Sequence, residues 1–530
     1  MMGKHSDLNR ATDSMSNTKT IAKNTGWYSV ENIVSAAVTI VTSVAIARTL
    51  GPAKTGYIIY VSYVASVVAS LGSLGIPSAT RKYMSEFIGM GDKGTARLIF
   101  FRTLAIQAGL ASLATLAIVF WVFQDANAEF RLAAVLIALS IWPSMVNSVP
   151  AQANGATENL ATNVPGSVVS AVVYLFTILA TAVFHWGVTG IGAALLLMRG
   201  VDFLVRFFPT MARIVAWNTT HVLPAGLRRR MVAYAWQSVA TMLLALVVWE
   251  RSEVLLLKWL CADIRQIAFY SIAFSLGNYL LLGSTIFGAA ASTTIFVQQG
   301  RDKSKMPQLV AASFRYLVLA SIPLHFIAVA LAVPALLLLY GGRYAGAAMV
   351  VTIAPLLCMP KAFLAPIQSL LQSAERQSYV ILATILAGIV DWGIAWYLIP
   401  AHGAVGACIG SGIAQMTAAG IMWAIGIRLY NVKLPWILVA KVAFISTLAA
   451  LTAHYVAAQL GTLWGFLFGG GASLVVLFSL FYLLRVLEPE DQARLSLLTR
   501  SMPKSIGRPV ESVLSLMIRS RLAVETPTNV

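Results

Sequence analysis

The sequence predicts an all-α polytopic membrane protein with about 14 transmembrane helices, forming two six-helix lobes followed by two additional C-terminal helices. The first observation behind this prediction is composition, because 58% of the 530 residues are hydrophobic and only 11% are charged. A soluble domain carries about 25% charged residues. The second observation is a succession of long apolar windows, and the third is an internal repeat of six such windows. The chain length is therefore used for membrane spans rather than for globular domains.

A membrane-spanning helix needs about 20 mostly apolar residues, and windows of that kind recur along the chain. They lie at 27–48, 56–77, 98–122, 132–152, 164–185, 188–208, 233–259, 266–290, 311–340, 346–372, 377–399, 404–427, 436–457 and 464–485. The first residues lack an apolar core followed by a cleavage site, so we expect no cleavable signal peptide. The first span is therefore expected to stay in place and to start the topology.

The windows define the domain organisation. We predict a cytoplasmic N-terminal segment 1–26, an N-terminal six-helix lobe 27–208, a cytoplasmic connection 209–232, a C-terminal six-helix lobe 233–427, two additional helices 436–485 and a basic cytoplasmic tail 486–530. The tail contains PVESVLSLMIRSRLAV, which fits an amphipathic helix lying on anionic lipid and fits a disordered segment equally well.

The distribution of basic residues predicts the orientation. If the N-terminus is cytoplasmic, the segments on that side hold 25 lysines and arginines and the opposite segments hold 6. Lysine and arginine collect in cytoplasmic loops, so both termini are expected inside, in the cytoplasmic (inner) membrane. The formal net charge of +18 then reflects these loops and their contact with anionic head groups. The bilayer, and no nucleic acid, is the expected partner.

Signals for chemistry are sparse. Cys261, Cys358 and Cys408 are dispersed and show no metal-ligand spacing, so we predict no metal site, no cofactor and no catalytic residue. A nucleotide-driven pump is not expected, because the phosphate-binding pattern G-x-x-x-x-G-K-[ST] is absent. A membrane glycan polymerase, ligase or glycosyltransferase needs a sizeable outer loop, whereas the longest predicted outer connection is FQDANAEFR. The sequence therefore favours a transporter over an enzyme.

The first twelve windows contain two copies of six. Pro150 begins PAQANGATENLATNVP and Pro366 begins PIQSLLQSAERQSYVI, while GVTGIGAALL and GAVGACIGSG follow at the same offset in each copy. Further upstream, Tyr57 aligns with Tyr270, and Asp92-Lys93 aligns with Asp302-Lys303. Because each copy has an even number of spans, both enter the membrane from the same side. A substrate path between the two copies is then expected.

Several of these segments resemble the multidrug/oligosaccharidyl-lipid/polysaccharide (MOP) flippase superfamily, specifically its polysaccharide transporters of the O-antigen flippase type. The resemblance is carried by ARTLGPAKTGYIIY at 47–60, by LGSLGIPSATRKYMSEFIGMGD at 71–92, and by the two stretches that begin at Pro150 and Pro366. It extends over roughly residues 20–430. The motifs are mostly glycines and small residues between apolar runs, so they identify the superfamily better than the substrate.

The resemblance implies a MATE-like arrangement of two six-helix lobes around a central cavity that opens to one face at a time. It also implies the substrate, a lipid-linked oligosaccharide on a polyprenyl diphosphate that is moved from the inner to the outer leaflet. A glycan polymerase or glycosyltransferases would be further partners. Physical reasoning agrees, because a diphosphate and a polar head need a hydrated path, and arginine pairs bidentately with phosphate oxygens.

Charges deep inside spans are the candidate site residues, since exposure to lipid costs several kcal/mol. Arg206, Arg315 and Lys441 lie near span ends and are expected to snorkel towards the interface.

For Arg102, snorkelling and lining of the cavity remain open. Arg199 and Asp202 are three residues apart, so they share one helix face and can pair with each other, and both are candidates for lining the cavity. The remaining candidates are Lys361, in a span that three prolines interrupt, and Asp391, a candidate coupling-ion site near mid-membrane. The lone His325 is predicted to be packed or hydrogen-bonded.

The stretch LVVWERSEVLLLKWL carries the densest group of intramembrane charges. On one continuous helix over 233–259, Glu250 and Glu253 would share a face, and Arg251 would point about 100° away. Three interpretations stay open, namely an Arg–Glu pair that locks this span to a neighbour, a cavity site, and an interfacial location if the span is shifted. In the cavity site, Arg251 would bind diphosphate or sugar, and a glutamate would carry a coupling proton.

A multidrug antiporter of the same superfamily is the alternative function. Such antiporters generally have twelve spans and a deep acidic site in the first lobe. Here fourteen windows are found, and Asp202 is the only acid deep inside the first lobe. Both observations favour the polysaccharide branch. The sequence leaves the sugar, the length of the lipid and the coupling ion open.

Overall fold

The structure, a computed structural model, describes residues 2–125, 128–218 and 222–487, with the side chains of residues 2–33, 125, 160, 293, 297, 300 and 301 left out. Its regular elements in these ranges are all helical. The predicted tail beyond Leu487, including its amphipathic segment, lies outside the described residues. The same holds for the side chains of the N-terminal segment.

Seventeen α-helices occur in the described ranges, and short 3₁₀ turns connect some of them. The helices are α1 (Met2–Gly72), α2 (Ile76–Gly89), α3 (Lys93–Asp125), α4 (Ala128–Leu139), α5 (Ile141–Ala156), α6 (Val164–Val183), α7 (Gly187–Val215), α8 (Leu227–Val248), α9 (Glu253–Leu260), α10 (Arg265–Arg301), α11 (Met306–Tyr340), α12 (Ala348–Cys358), α13 (Leu364–Ser373), α14 (Gln377–His402), α15 (Ala404–Tyr430), α16 (Trp436–Leu460) and α17 (Thr462–Leu483). The connection between α7 and α8 runs from 216 to 226, shorter than the predicted 209–232.

Thirteen segments of the described chain are long and apolar enough to cross a membrane. The first, Val34–Gly72, has 39 residues, and an unbroken helix of that length would be about twice as long as the hydrocarbon core is thick. It is interrupted at Gly51, whose backbone is non-helical with φ 73° and ψ 173°. Pro52 follows and has no N–H for the helix ladder. This segment therefore contains most of the two spans predicted at 27–48 and 56–77, and the chain is a multi-pass integral membrane protein.

The described residues form two compact units. The first unit contains the chain up to Ser271 together with Ala395–Ala407, and the second contains Ile272–Ile394 and the chain from Cys408 onward. These limits are set by packing, whereas the predicted lobes are defined by the sequence repeat. The lobe boundaries stay a prediction.

The first unit has a core between α2, α3 and α5. Tyr83, Met84, Ile99 and Phe100 are among its buried side chains. Helix α8 packs on the outside of α2 at Gly75, where a Cβ would overlap a backbone carbonyl of α8. This close approach explains why a glycine with φ 69° stands there.

In the second unit, α16 and α17 pack on each other and on α11. A Cβ at Gly465 would lie 2.6 Å from the Ala457 carbonyl oxygen, and one at Gly469 would lie 2.8 Å from that of Ala453. Small residues allow membrane helices to approach closely. Leu331 of α11 joins Ala453 and Ala457 in one buried cluster. The two additional C-terminal helices are thus built into the second unit.

The two connections aligned by the repeat, at Asp92 and at Asp302, use the same turn chemistry. The Thr95 backbone N–H donates to Asp92 Oδ1 across 2.9 Å, and the Ser304 N–H donates to Asp302 Oδ1 across 3.0 Å. Hydrogen bonds from Thr95 lower the pKa of Asp92, and hydrogen bonds from Ser304 lower the pKa of Asp302. Both carboxylates therefore hold the start of the following helical segment.

Candidate functional site

A polar cavity of about 250 Å³ lies inside the first unit. Two rows of serines line it at a spacing of three or four residues, one on α1 and one that starts before α5, and Arg199 of α7 completes it. Four residues of a helix make about one turn, so each row occupies one helix face. The serines are Ser62, Ser66, Ser70 and Ser73 in the first row and Ser140, Ser144 and Ser148 in the second.

Four of these serines leave their hydroxyls available to the cavity. The hydroxyls of Ser62, Ser66, Ser70 and Ser144 make no hydrogen bond with the described residues. The usual alternative for a helical serine is a bond to a carbonyl one turn earlier, and Ser73 makes such a bond to Ala69 across 2.8 Å. Hydroxyls without a protein partner in an apolar surrounding are typical of a site for water or a polar ligand.

Arg199 lines this cavity, and it does not form the ion pair with Asp202 that their spacing allows. Asp202 instead lies 2.8 Å from Arg206 Nη2, four residues along α7, and it accepts a hydrogen bond from Asn147 Nδ2 across 2.7 Å. The carboxylate fits there because α6 offers Gly166, where a Cβ would lie 2.8 Å from Asp202 Oδ1. Arg199 has no acidic partner among the described residues. It therefore presents an uncompensated positive charge to the cavity.

Arg206 does not snorkel as expected. Only 11% of its side chain is exposed, and Arg206 Nη2 also donates to Ser167 Oγ across 2.9 Å. Further along α7, Thr210 donates to Asn154 Oδ1 across 3.0 Å, and Arg213 donates to the same atom. A buried polar chain thus runs along α7 from Asp202 to Arg213. It satisfies charges that would be costly in an apolar interior.

The structure also contradicts the continuous helix predicted over 233–259. Helix α8 ends at Val248 and α9 begins at Glu253, so Glu250 and Arg251 lie in the break between them. Ser252 Oγ donates to the Val247 carbonyl oxygen across 2.9 Å, which is the acceptor that the amide of residue 251 would use in a continuing helix. Glu250 and Glu253 therefore do not share a helix face.

The three charged residues at this break differ in how deeply they are buried. Glu250 is exposed, Arg251 is half-buried, and Glu253 is fully buried. The Tyr270 hydroxyl donates to Glu253 Oε2 across 2.7 Å, and the buried Tyr63 lies within electrostatic range of all three charges. Glu253 thus lies buried beside Tyr270 and near Tyr63, whereas Glu250 and Arg251 are more accessible.

The remaining candidates Arg102, Lys361 and Asp391, together with His325, lie on separate helices and turns. Arg102 is exposed on α3 and makes no hydrogen bond or ion pair with the described residues. Lys361 is half-buried in a 3₁₀ turn between α12 and α13, so the predicted interruption of that span is confirmed. Asp391 is fully buried on α14. His325 is fully buried, and its Nδ1 lies 2.7 Å from the Ser321 carbonyl oxygen, which confirms the hydrogen-bonded histidine.

Sequence reasoning missed the two serine rows and the two tyrosines. Their signal is visible in YVSYVASVVASLGS and in ALSIWPSMVNS, where serines recur every three or four residues within apolar runs. Serine hydroxyls carry no charge, so they do not stand out in an apolar run as an arginine or a glutamate does. Within the described residues, no group of three or more histidine, cysteine, aspartate or glutamate side chains could hold a metal ion.

Solved transporter structures share this fold. A lipid II flippase MurJ in an inward closed conformation superposes with a TM-score of 0.67 at 11% identity, over 86% of this chain and 98% of MurJ. An inward-facing MATE multidrug resistance transporter of the MOP superfamily has a TM-score of 0.63 at 14% identity, over 75% and 95%. A MOP superfamily transporter from Pyrococcus furiosus has a TM-score of 0.55 at 13% identity, over 78% and 96%.

The fold and the intramembrane cavity define the class of the protein as a multi-pass membrane protein with the MOP-transporter fold. The resemblance predicted from the sequence is thereby confirmed at the level of the fold. No protein-family model and no curated protein sequence matches the chain. The O-antigen subtype therefore stays a prediction.

Proposed function

We propose that the chain is a flippase that moves a polyprenyl-diphosphate-linked oligosaccharide, a precursor of a surface polysaccharide or lipopolysaccharide, across the cytoplasmic membrane by alternating access. The observation that carries this proposal is the serine-lined cavity with Arg199. Its unbonded hydroxyls offer hydrogen-bond donors and acceptors to a sugar, and its arginine offers a planar charged fork to an anionic group. The shared fold with MurJ supports the same class of substrate.

The cavity is smaller than an oligosaccharide, and this size fits recognition of one sugar or one charged substituent. Typical small-molecule sites have volumes of about 300–1,000 Å³, compared with about 250 Å³ here. The remainder of an amphiphilic substrate needs further space and a lipid-exposed side. We therefore assign the cavity to part of the head group, and we leave the polyprenyl tail to the bilayer.

A multidrug antiporter is the second candidate, because several MATE transporters share the fold. The cavity argues against it. An apolar cation would find hydroxyls and an uncompensated arginine, which repels a positive charge. Drug binding of that kind needs an acidic or aromatic lining instead.

Deletion of the gene tests the proposed function. We expect loss of the surface glycan and accumulation of its lipid-linked precursor in the inner leaflet, with both restored by the wild-type chain. Arg199→Ala should restore glycan poorly. Lys441→Ala, which removes an exposed cation in the second unit, should restore it fully. If the surface glycan is unchanged and drug tolerance is altered, the proposed flippase function is wrong and the antiporter function is favoured.

A further inference from the structure

A second pocket lies at the beginning of α8, away from the serine-lined cavity. It has a volume of about 640 Å³. Two arginines and several apolar residues line it. The lining residues are Gly226, Arg228, Arg229, Val232, Ala233 and Trp236. None of them was a candidate for the transport site.

The cations around this pocket differ in whether they already contact another side chain. Arg230 is 3.0 Å from Glu86 on α2, and Lys82 Nζ lies 4.0 Å from the centre of the Tyr234 ring. Arg228 and Arg229 are exposed and make no ion pair or hydrogen bond with the described residues. Two adjacent arginines are therefore available to an anion at the pocket.

The apolar part of the pocket continues from Arg229 along one helix face. Positions 229, 232, 233 and 236 follow the three-and-four spacing of such a face. Val232 is 63% exposed and Trp236 is 69% exposed. Trp236 lies about 10 Å further along the helix axis than Arg229, and tryptophan prefers the interfacial level of a bilayer.

We propose that this pocket binds an anionic phospholipid of the surrounding bilayer, with the phosphate between Arg228 and Arg229 and an acyl chain along Val232 and Trp236. The two arginines favour a phosphate group as the ligand, because a guanidinium group forms two parallel hydrogen bonds with phosphate oxygens. The apolar face selects a lipid over a free phosphate, because Val232 and Trp236 belong to a helix long and apolar enough to span the membrane. This site is separate from the proposed transport function.

Native mass spectrometry of the purified full-length protein tests this proposal with added phosphatidylglycerol and, separately, phosphatidylcholine. The wild-type chain should bind phosphatidylglycerol in preference. Each arginine near an anionic head group contributes about fivefold in affinity, so Arg228→Ala/Arg229→Ala should weaken phosphatidylglycerol binding by about 25-fold. Arg230→Ala is the matched control, because Arg230 is directed to Glu86, and it should leave the affinity within about twofold.

Three results would overturn the proposal. One is equal binding of the two phospholipids by the wild-type chain, and another is unchanged phosphatidylglycerol binding by the double variant. The third is preferential binding of polyprenyl phosphate that Arg228→Ala/Arg229→Ala abolishes, which would assign the pocket to a substrate lipid. Arg228→Lys/Arg229→Lys keeps the charge, so it should retain most of the phosphatidylglycerol affinity if the double alanine variant fails to fold.

Discussion

The Tyr270 hydroxyl donates to Glu253 Oε2 across 2.7 Å and joins the beginning of α9 to α10. Both side chains are buried, with Glu253 fully inaccessible. A buried carboxylate that receives a hydroxyl hydrogen is stabilised relative to one in a purely apolar surrounding. The three charged residues Glu250, Arg251 and Glu253 therefore differ in their surroundings. Glu253 is held within the unit, and Arg251 and Glu250 are the more accessible groups.

Tyr270→Phe should lower the free energy of unfolding by about 1–3 kcal/mol, because it removes a hydrogen-bond donor from a buried oxygen of Glu253. Thermal unfolding of the purified protein in detergent measures this loss. Glu250→Ala is the control, because Glu250 is exposed and its removal should change stability by less than about 0.5 kcal/mol. Equal stability of Tyr270→Phe and wild type would show that this bond contributes nothing.

Gly166→Val should displace Asp202 and its partner Arg206, because the position of the new side chain is occupied by Asp202 Oδ1. Overpacking of this kind costs about 1–3 kcal/mol. Gly200→Ala is the matched control on α7, since its Cβ would meet nothing within 4 Å. This control should be neutral or slightly stabilising, as alanine is the better helix former. If both variants unfold at the wild-type temperature, the tight packing at Gly166 is refuted.

Arg251→Ala should abolish glycan export while the protein still inserts into the membrane. The half-buried Arg251 lies at the break between α8 and α9, and a charge deep inside a span is typical of a site that meets a polar substrate. Arg265→Ala serves as the control, because Arg265 is exposed and lies 2.9 Å from Asp263. Export is measured from surface glycan after complementation. Full export by Arg251→Ala would leave this arginine with a structural role.

Asp92 and Asp302 should make stability fall in acid. Their pKa values are lowered in the folded protein by hydrogen bonds from Thr95 and Ser304. Their stabilising effect is thus fully present above the ordinary aspartate pKa of about 3.9 and is lost as pH falls below it. Thermal unfolding between pH 7 and pH 3 should show a smaller acid-induced loss for Asp92→Asn/Asp302→Asn than for wild type. An identical loss in both proteins would contradict this assignment.

The sequence was sufficient for the class of fold because apolar windows and their number depend only on local composition. It also predicted an interruption near Lys361 from three prolines, of which Pro360 lies in the turn and lacks a helix donor, whereas Pro355 and Pro366 lie inside α12 and α13. The break at Arg251 was missed, because it follows from a side-chain bond of Ser252 to a carbonyl and not from a proline or glycine.

The partner of Asp202 could not be predicted from spacing alone. Arg199 and Arg206 stand three residues before and four residues after it, and either spacing permits an ion pair on a helix. Gly166 on α6 and Asn147 on α5 decide between them, and both belong to other parts of the chain. The serine-lined cavity likewise requires α1, α5 and α7 to come together. Its residues were readable in the sequence, but their shared location was not.

Translocation by the purified protein in proteoliposomes tests the central claim most directly. A fluorescent lipid-linked oligosaccharide is supplied in one leaflet, and its arrival in the other is followed with a membrane-impermeant quencher. The wild-type chain should exceed empty liposomes. Ser66→Ala/Ser70→Ala/Ser144→Ala should be about tenfold slower or more, since each lost hydrogen bond contributes about 0.5–1.5 kcal/mol. The control Ser85→Ala/Ser112→Ala/Ser238→Ala, which removes serines outside the cavity, should match wild type. No translocation by the wild-type chain, or equal rates for the two triple variants, would contradict the account.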